Sequence, residues 1–171
     1  MGTLSTSARL DFRVIIPQFL QFRVGATGAS IDLIEFNLSS GTPVVGDGTD
    51  VAGTGGNLGA GAVTASVRSN GGQITITPSN NSGGAGLSAG VVGQEIPYTE
   101  ILTSSSDGTN LDSPPLTNAG GTPTTPTLNG GNITNRTATW TYQYDNAGIY
   151  EAGTYGTSTN GGRVTYTAAT P

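Results

Sequence analysis

The side chains able to do chemistry in this chain of 171 residues are few: eleven acidic groups and six arginines, with no lysine, histidine or cysteine. Without Cys or His there is no disulfide, thiolate nucleophile, imidazole base or zinc or copper site of the usual nitrogen and sulfur type. Carboxylates are what remain. Glu95, Glu100 and Glu151 could supply a glycosidase pair, because two carboxylates at a set separation suffice for that reaction. Nothing in the sequence brings them together, so surface carboxylates are the ordinary reading. Asp47 and Asp50, in Gly46-Asp-Gly-Thr-Asp50, could offer oxygen to calcium. The loop lacks both the EF-hand pattern with its distal Glu and the Gly-Gly-x-Gly-x-Asp repeat of calcium β-rolls, which favours a solvated turn. No cofactor and no enzymatic activity are expected.

Trp140, Tyr142, Tyr144, Tyr150, Tyr155 and Tyr166 gather the aromatic residues in the last third of the chain. An exposed row of them would suit carbohydrate. Alternation puts Trp140, Tyr142 and Tyr144 on one face, and a buried core is the stronger reading. Net charge is −5 and the arginines are scattered, which argues against nucleic acid as a partner. No window of about 20 apolar residues exists, so no transmembrane helix is expected. Asn37, Asn80, Asn132 and Asn135 begin glycosylation sequons that composition alone explains.

The elements that would position these residues are strands. Val63, Ala65 and Val67 alternate, Asn70-Gly71 signals a hairpin, and Ile74 and Ile76 return. Ile31 and Leu33 open another strand that Ile34, Phe36 and Leu38 continue on the opposite parity, as at a bulge or a doubly buried strand. Ile96, Tyr98 and Leu102 form a further strand, with Pro97 near its start. Ala138, Trp140, Tyr142 and Tyr144 form another, and Val164, Tyr166 and Ala168 the last. Gly-rich or Pro-rich loops over 39–61, 78–90 and 104–132 separate them. The element Asn-Gly-Gly-x-Ile/Val-Thr recurs at 70, 129 and 160, at unequal spacing that excludes a solenoid and fits a tight turn feeding a strand. No segment has a helical period. About seven to nine strands with turns between them predict an all-β, immunoglobulin-like antiparallel β-sandwich.

The longest alternation lies at the N-terminus. Leu4, Ala8, Leu10, Phe12, Val14 and Ile16 share one face of an extended strand, interrupted only by Thr6; Ser5, Ser7, Arg9, Asp11 and Arg13 share the other. Pro17 then removes a backbone donor, and Leu20, Phe22 and Val24 resume the pattern. The organisation expected is a strand over residues 1–16 able to reach outside its own domain, and one domain over 17–171. Low charge, absence of lysine and Thr/Asn-rich strands suit an exposed, protease-resistant surface. An extracellular location is expected, with a signal peptide removed.

These stretches, with Pro17-Gln-Phe-Leu-Gln-Phe-Arg-Val24 and the ending Gly162-Arg-Val-Thr-Tyr-Thr167, resemble secreted subunits of bacterial surface filaments. The archaic chaperone–usher and spore-coat-U-like families are of this kind. The resemblance implies an incomplete immunoglobulin-like sandwich completed by a donor strand from the next subunit. Leu4, Ala8, Leu10, Phe12, Val14 and Ile16 would then form the subunit interface of a head-to-tail homopolymer, assembled with a chaperone or usher. Many such subunits carry a disulfide; this chain has no Cys. The alternative is a monomeric surface-binding module, an adhesin or carbohydrate-binding sandwich, whose first strand folds back into its own sheet.

Overall fold

The computed structural model describes residues 1–171. The strands are β1 (Leu20–Val24), β2 (Ile34–Glu35), β3 (Val51–Ala52), β4 (Thr54–Gly55), β5 (Ala62–Ser69), β6 (Thr75–Asn80), β7 (Leu87–Ser88), β8 (Glu95–Ile96), β9 (Ile101–Ser105), β10 (Leu116–Thr117), β11 (Gly120–Gly121), β12 (Thr134–Tyr144) and β13 (Val164–Ala169). The one helical turn is a 3-10 turn at Tyr98–Glu100. The chain is all-β, and every ladder is antiparallel.

The largest sheet is built on β12. One flank pairs with β5, then with β3 beyond the end of β5; the other pairs with β9 over Trp140–Tyr144. β1 pairs only with β5, from Leu20 opposite Ser69 to Val24 opposite Ala65, and so forms the outer edge. A second pair of strands, β6 and β13, runs from Thr75 opposite Ala169 to Asn80 opposite Val164. The far flank of β6 is occupied, because Ile76 and Thr124 exchange two backbone hydrogen bonds. β13 has β6 as its sole ladder partner, so its other flank is open, as are those of β1 and of β9, which pairs only with β12.

Period-two alternation decides what is buried. Val63, Ala65 and Val67 of β5 and Ala138, Trp140, Tyr142 and Tyr144 of β12 are buried together with Ile74 and with Ile76 of β6 in one core. The aromatic row is therefore core, as expected. Arg136 lies on the same parity as Trp140 at the end of β12, where two loop carbonyls, Thr127 O and Leu128 O, accept from its guanidinium at 2.9 Å each. The Pro-rich loop after β9 docks by burying Leu111 completely, and Leu111 O accepts from the Trp140 indole Nε1 at 3.2 Å.

Three expectations are corrected in detail. Asn70-Gly71 does not make a hairpin: β5 and β6 lie in different sheets, and the turn carries the chain from one to the other. Its Asn side chain binds the backbone near Pro17, which a two-residue hairpin turn would not require. Between Ile31 and Leu38 the even parity prevails. Ile34, Phe36 and Leu38 pack on the core, while Ile31 and Leu33 stay exposed and only Ile34–Glu35 pairs. The strand expected from Ile96 to Leu102 is split by the 3-10 turn that follows Pro97. The three Asn-Gly-Gly turns do lead into strands, at β6, β12 and β13.

Burial also predicts how the fold fails in alkali. Tyr98 and Tyr144 are pushed up to about 12, chiefly by burial, with Glu100 the next contributor at Tyr144; Tyr166 is raised well above the ordinary value by burial as well. A folded value above the unfolded value of about 10 means stability is intact below pH 10 and is lost as pH rises from 10 to 12. Thermal melts at pH 9, 10, 11 and 12 should fall only in the last two steps, with tyrosinate absorbance rising together with unfolding. Gradual tyrosinate formation in a chain that stays folded would contradict this account.

Candidate functional site

Residues 1–16 take no part in any ladder or hydrogen bond with the body. Leu4, Leu10, Phe12, Val14 and Ile16 are 74% to 98% exposed, and Ala8 is exposed too. The sixteen residues thus form an arm with an apolar row in water, broken only at Thr6. Exposed apolar surface of that extent together with unpaired backbone is a template for another chain.

The root of the arm is held tightly. Asn70 uses both ends of its amide: Oδ1 accepts from Phe19 N and Nδ2 donates to Pro17 O, each at 2.9 Å. Ser69 Oγ donates to Phe19 O at 2.9 Å and accepts from Gly71 N at the same distance. Pro17, with its fixed φ and missing donor, suits a position where strand pairing begins after it. The turn read from Asn70-Gly71 is thereby a clamp on residues some fifty positions earlier in the chain. No local pattern could have revealed it, since Asn is equally at home in a plain turn.

Beside this root the edges of the two sheets come together. The first residues of β1 and the end of β13 meet at one pole, where Gln18, Phe19, Leu20, Gly71 and Thr170 line a shallow depression. β1 leaves this pole and β13 arrives at it, each with one flank that no strand pairs. Inward side chains of β5 and β12 are buried, but those of the two edges, Phe22 and Val24 on β1 and Val164, Tyr166 and Ala168 on β13, are only partly so. Tyr166 reaches inward to Trp140, with ring centroids 5.4 Å apart, and its hydroxyl lies 2.9 Å from that of Tyr142. β1 and β13 thus each offer partly buried apolar side chains beside a backbone edge that no other strand pairs.

The remaining candidates are engaged in local hydrogen bonds. Asp47 accepts from Val44 N, Thr49 N and Asn146 Nδ2, an Asx-type turn that lowers its carboxyl, first through Thr49 N. No group of three or more acidic side chains is placed to hold a metal ion, so Asp47 and Asp50 do not build a cage with others. Glu95 accepts from Gly93 N, Glu100 from Tyr150 Oη at 3.2 Å and Glu151 from Gln94, so the three carboxylates have three separate partners. Among the sequons, Asn80 is tied to Thr117 O and to Ser82. No helix is long and apolar enough to cross a membrane. Comparison with family models, curated proteins and solved structures finds no match to this chain.

Proposed function

We propose that this chain is the structural subunit of an extracellular filament, with the arm of one copy inserted between β1 and β13 of the next. The body is then an immunoglobulin-like sandwich lacking one strand, and Leu4, Ala8, Leu10, Phe12, Val14 and Ile16 form the donor face. The observation that supports this reading is the pairing of two features in one molecule: an apolar arm with nothing to cover it, and two strands, β1 and β13, whose inward side chains are only partly buried and whose outer flanks pair with no other strand. Each large apolar side chain transferred from water contributes roughly 1.5–3 kcal/mol, and ladder hydrogen bonds along both edges add register and rigidity.

From Ala8 to Ile16 the apolar positions continue without interruption, which makes this span the better filler than Leu4–Ala8 with Thr6 between. A contact between one end of a subunit and a different surface of the next does not close, and so propagates as a fibre. The arm carries two arginines and one aspartate, whereas the body carries four arginines and ten acidic residues. Arms are thus attracted to bodies that repel each other. An assembly chaperone lending a strand to the same two edges would keep them covered before polymerisation.

The test is a chain lacking residues 1–16, imaged beside the full chain. Long polymers from the full chain and none from the truncated one are the expected result. Fibres from the truncated chain would refute the proposal, and compact monomers from both would favour a binding module.

A further inference from the structure

We infer that the charges on the outward face of the arm form a register key, read by Arg23 and Asp32 at the free edge of β1 in the receiving copy. This inference rests on the donor-strand reading and adds to it a reason for one alignment. A one-residue slip would turn the apolar row out of the core, but a slip of two residues keeps it inside. Hydrophobicity alone therefore leaves several alignments of similar energy, and something on the other face must choose.

Phe22 and Val24 pack on the core, so Gln21 and Arg23 lie on the opposite, outward face of β1. Arg23 is half-buried, and its Nε is shut off from solvent with no hydrogen-bond partner. An enclosed guanidinium nitrogen without an acceptor is costly, and the cost is relieved by an arriving carboxylate. The open cleft along this edge is lined by Leu20, Gln21, Phe22, Arg23, Ser66 and Arg68, so its potential is positive. One step on, Gly25 has φ +86°, and the carboxylate of Asp32 occupies the space that a side chain at 25 would need. Asp32 Oδ2 is held there by Ala26 N at 2.6 Å. Successive outward steps along the edge are thus neutral at Gln21, cationic at Arg23 and anionic at Asp32.

The outward row of the arm reads Ser5, Ser7, Arg9, Asp11, Arg13, and Asp11 is its sole acid. With Asp11 opposite Arg23, one of the two arm arginines falls at the Asp32 step and the other beside uncharged Gln21. The arm pattern is symmetric about Asp11, so the match holds whichever way the arm runs. Sliding the arm by two residues in either direction puts Arg13 or Arg9 opposite Arg23, at a cross-strand separation of about 5 Å where like charges repel. Arg68 does not upset the match. It lies two strand spacings, about 10 Å, from the inserted arm, which is close to the screening length at ordinary ionic strength.

The experiment is a charge exchange in the full chain, read as the rate of fibre growth at low and at high salt. Asp11→Arg and Arg23→Asp should each slow growth at low salt by about tenfold or more, and the double exchange should restore it to within a few-fold. High salt should narrow the differences. If Arg23→Asp fails to fold, the milder pair Asp11→Asn and Arg23→Gln replaces it, and the double variant should then grow no slower than either single one. The key is overturned if Asp11→Arg grows normally, or if a folded double exchange grows no faster than Asp11→Arg alone. In either case fibres that still require residues 1–16 leave the donor-strand reading standing. Fibres that form without those residues refute both.

Discussion

A full-length chain carrying Leu10→Asp and Phe12→Asp should remain a monomer of 17.1 kDa, whereas the unaltered chain is expected to form fibres. Both side chains lie in the uninterrupted part of the proposed donor face and are strongly exposed in the single chain. Losing two large apolar anchors removes roughly 3–6 kcal/mol of burial, which converts to between about a hundredfold and ten-thousandfold in affinity. Two carboxylates forced against the partly buried Phe22, Val24 and Tyr166 would add a desolvation cost of several kcal/mol. The same substitutions should leave the body alone. No hydrogen bond links the arm before Pro17 to the rest of the chain, so the change in body stability should stay within about 0.5 kcal/mol, as for ordinary surface positions. Size-exclusion chromatography and negative-stain imaging read the first effect, and urea denaturation of the monomer reads the second. Fibres of normal length would refute the proposed role of these residues. A monomer that melts early would show that the arm folds back onto its own body.

Trp140→Ala should have the largest effect on the body, destabilising it by about 3–5 kcal/mol. Trp140 is fully buried between β5 and the long loop after β9, opposite Val63 in the ladder and against the Tyr166 ring. Its hydrogen bond matters less than its volume, because Leu111 O keeps a second donor, Ser105 Oγ at 2.7 Å, when the indole is gone. The cavity is the dominant cost. Small domains are stable by only about 5–15 kcal/mol, so the variant should unfold at a much lower urea concentration. As Trp140 is the one tryptophan, the measurement is far-ultraviolet circular dichroism, not indole fluorescence. A loss below about 1.5 kcal/mol would mean that Tyr166 collapses into the space and that the core is softer at this edge than its burial implies.

Trp140, Tyr142 and Tyr144 are legible as core because strand alternation is local and each inward residue advertises itself two positions away. The same holds for Val63 to Val67 and for Val164 to Ala168. The apolar row of the arm is legible for the same reason, and so is the absence of nucleophiles and soft-metal ligands. Less legible is which strands are neighbours. Asn70-Gly71 has hairpin chemistry, yet β5 pairs with β1 and β12 while β6 pairs with β13. Turn residues report local backbone geometry and say nothing about which sheet receives the next strand. The parity switch at Ile31–Leu38 was ambiguous for a related reason: both parities are apolar, and the space beside Tyr144, whose ring lies 6.2 Å from that of Phe36, selects one.

Composition and alternation by themselves determined that this is an all-β chain with an aromatic core, an apolar N-terminal row and no constellation suited to catalysis by Cys or His. These are properties of residue type and period, and they hold before any strand finds its partner. The tertiary structure decided the rest: that β1 and β13 each keep an unpaired flank, that Asn70 grips Pro17 and Phe19, and that Arg23 and Asp32 lie along the free edge of β1. Each depends on contacts between residues far apart in sequence. Such contacts are selected by the total burial of the folded chain, a quantity no window of sequence contains.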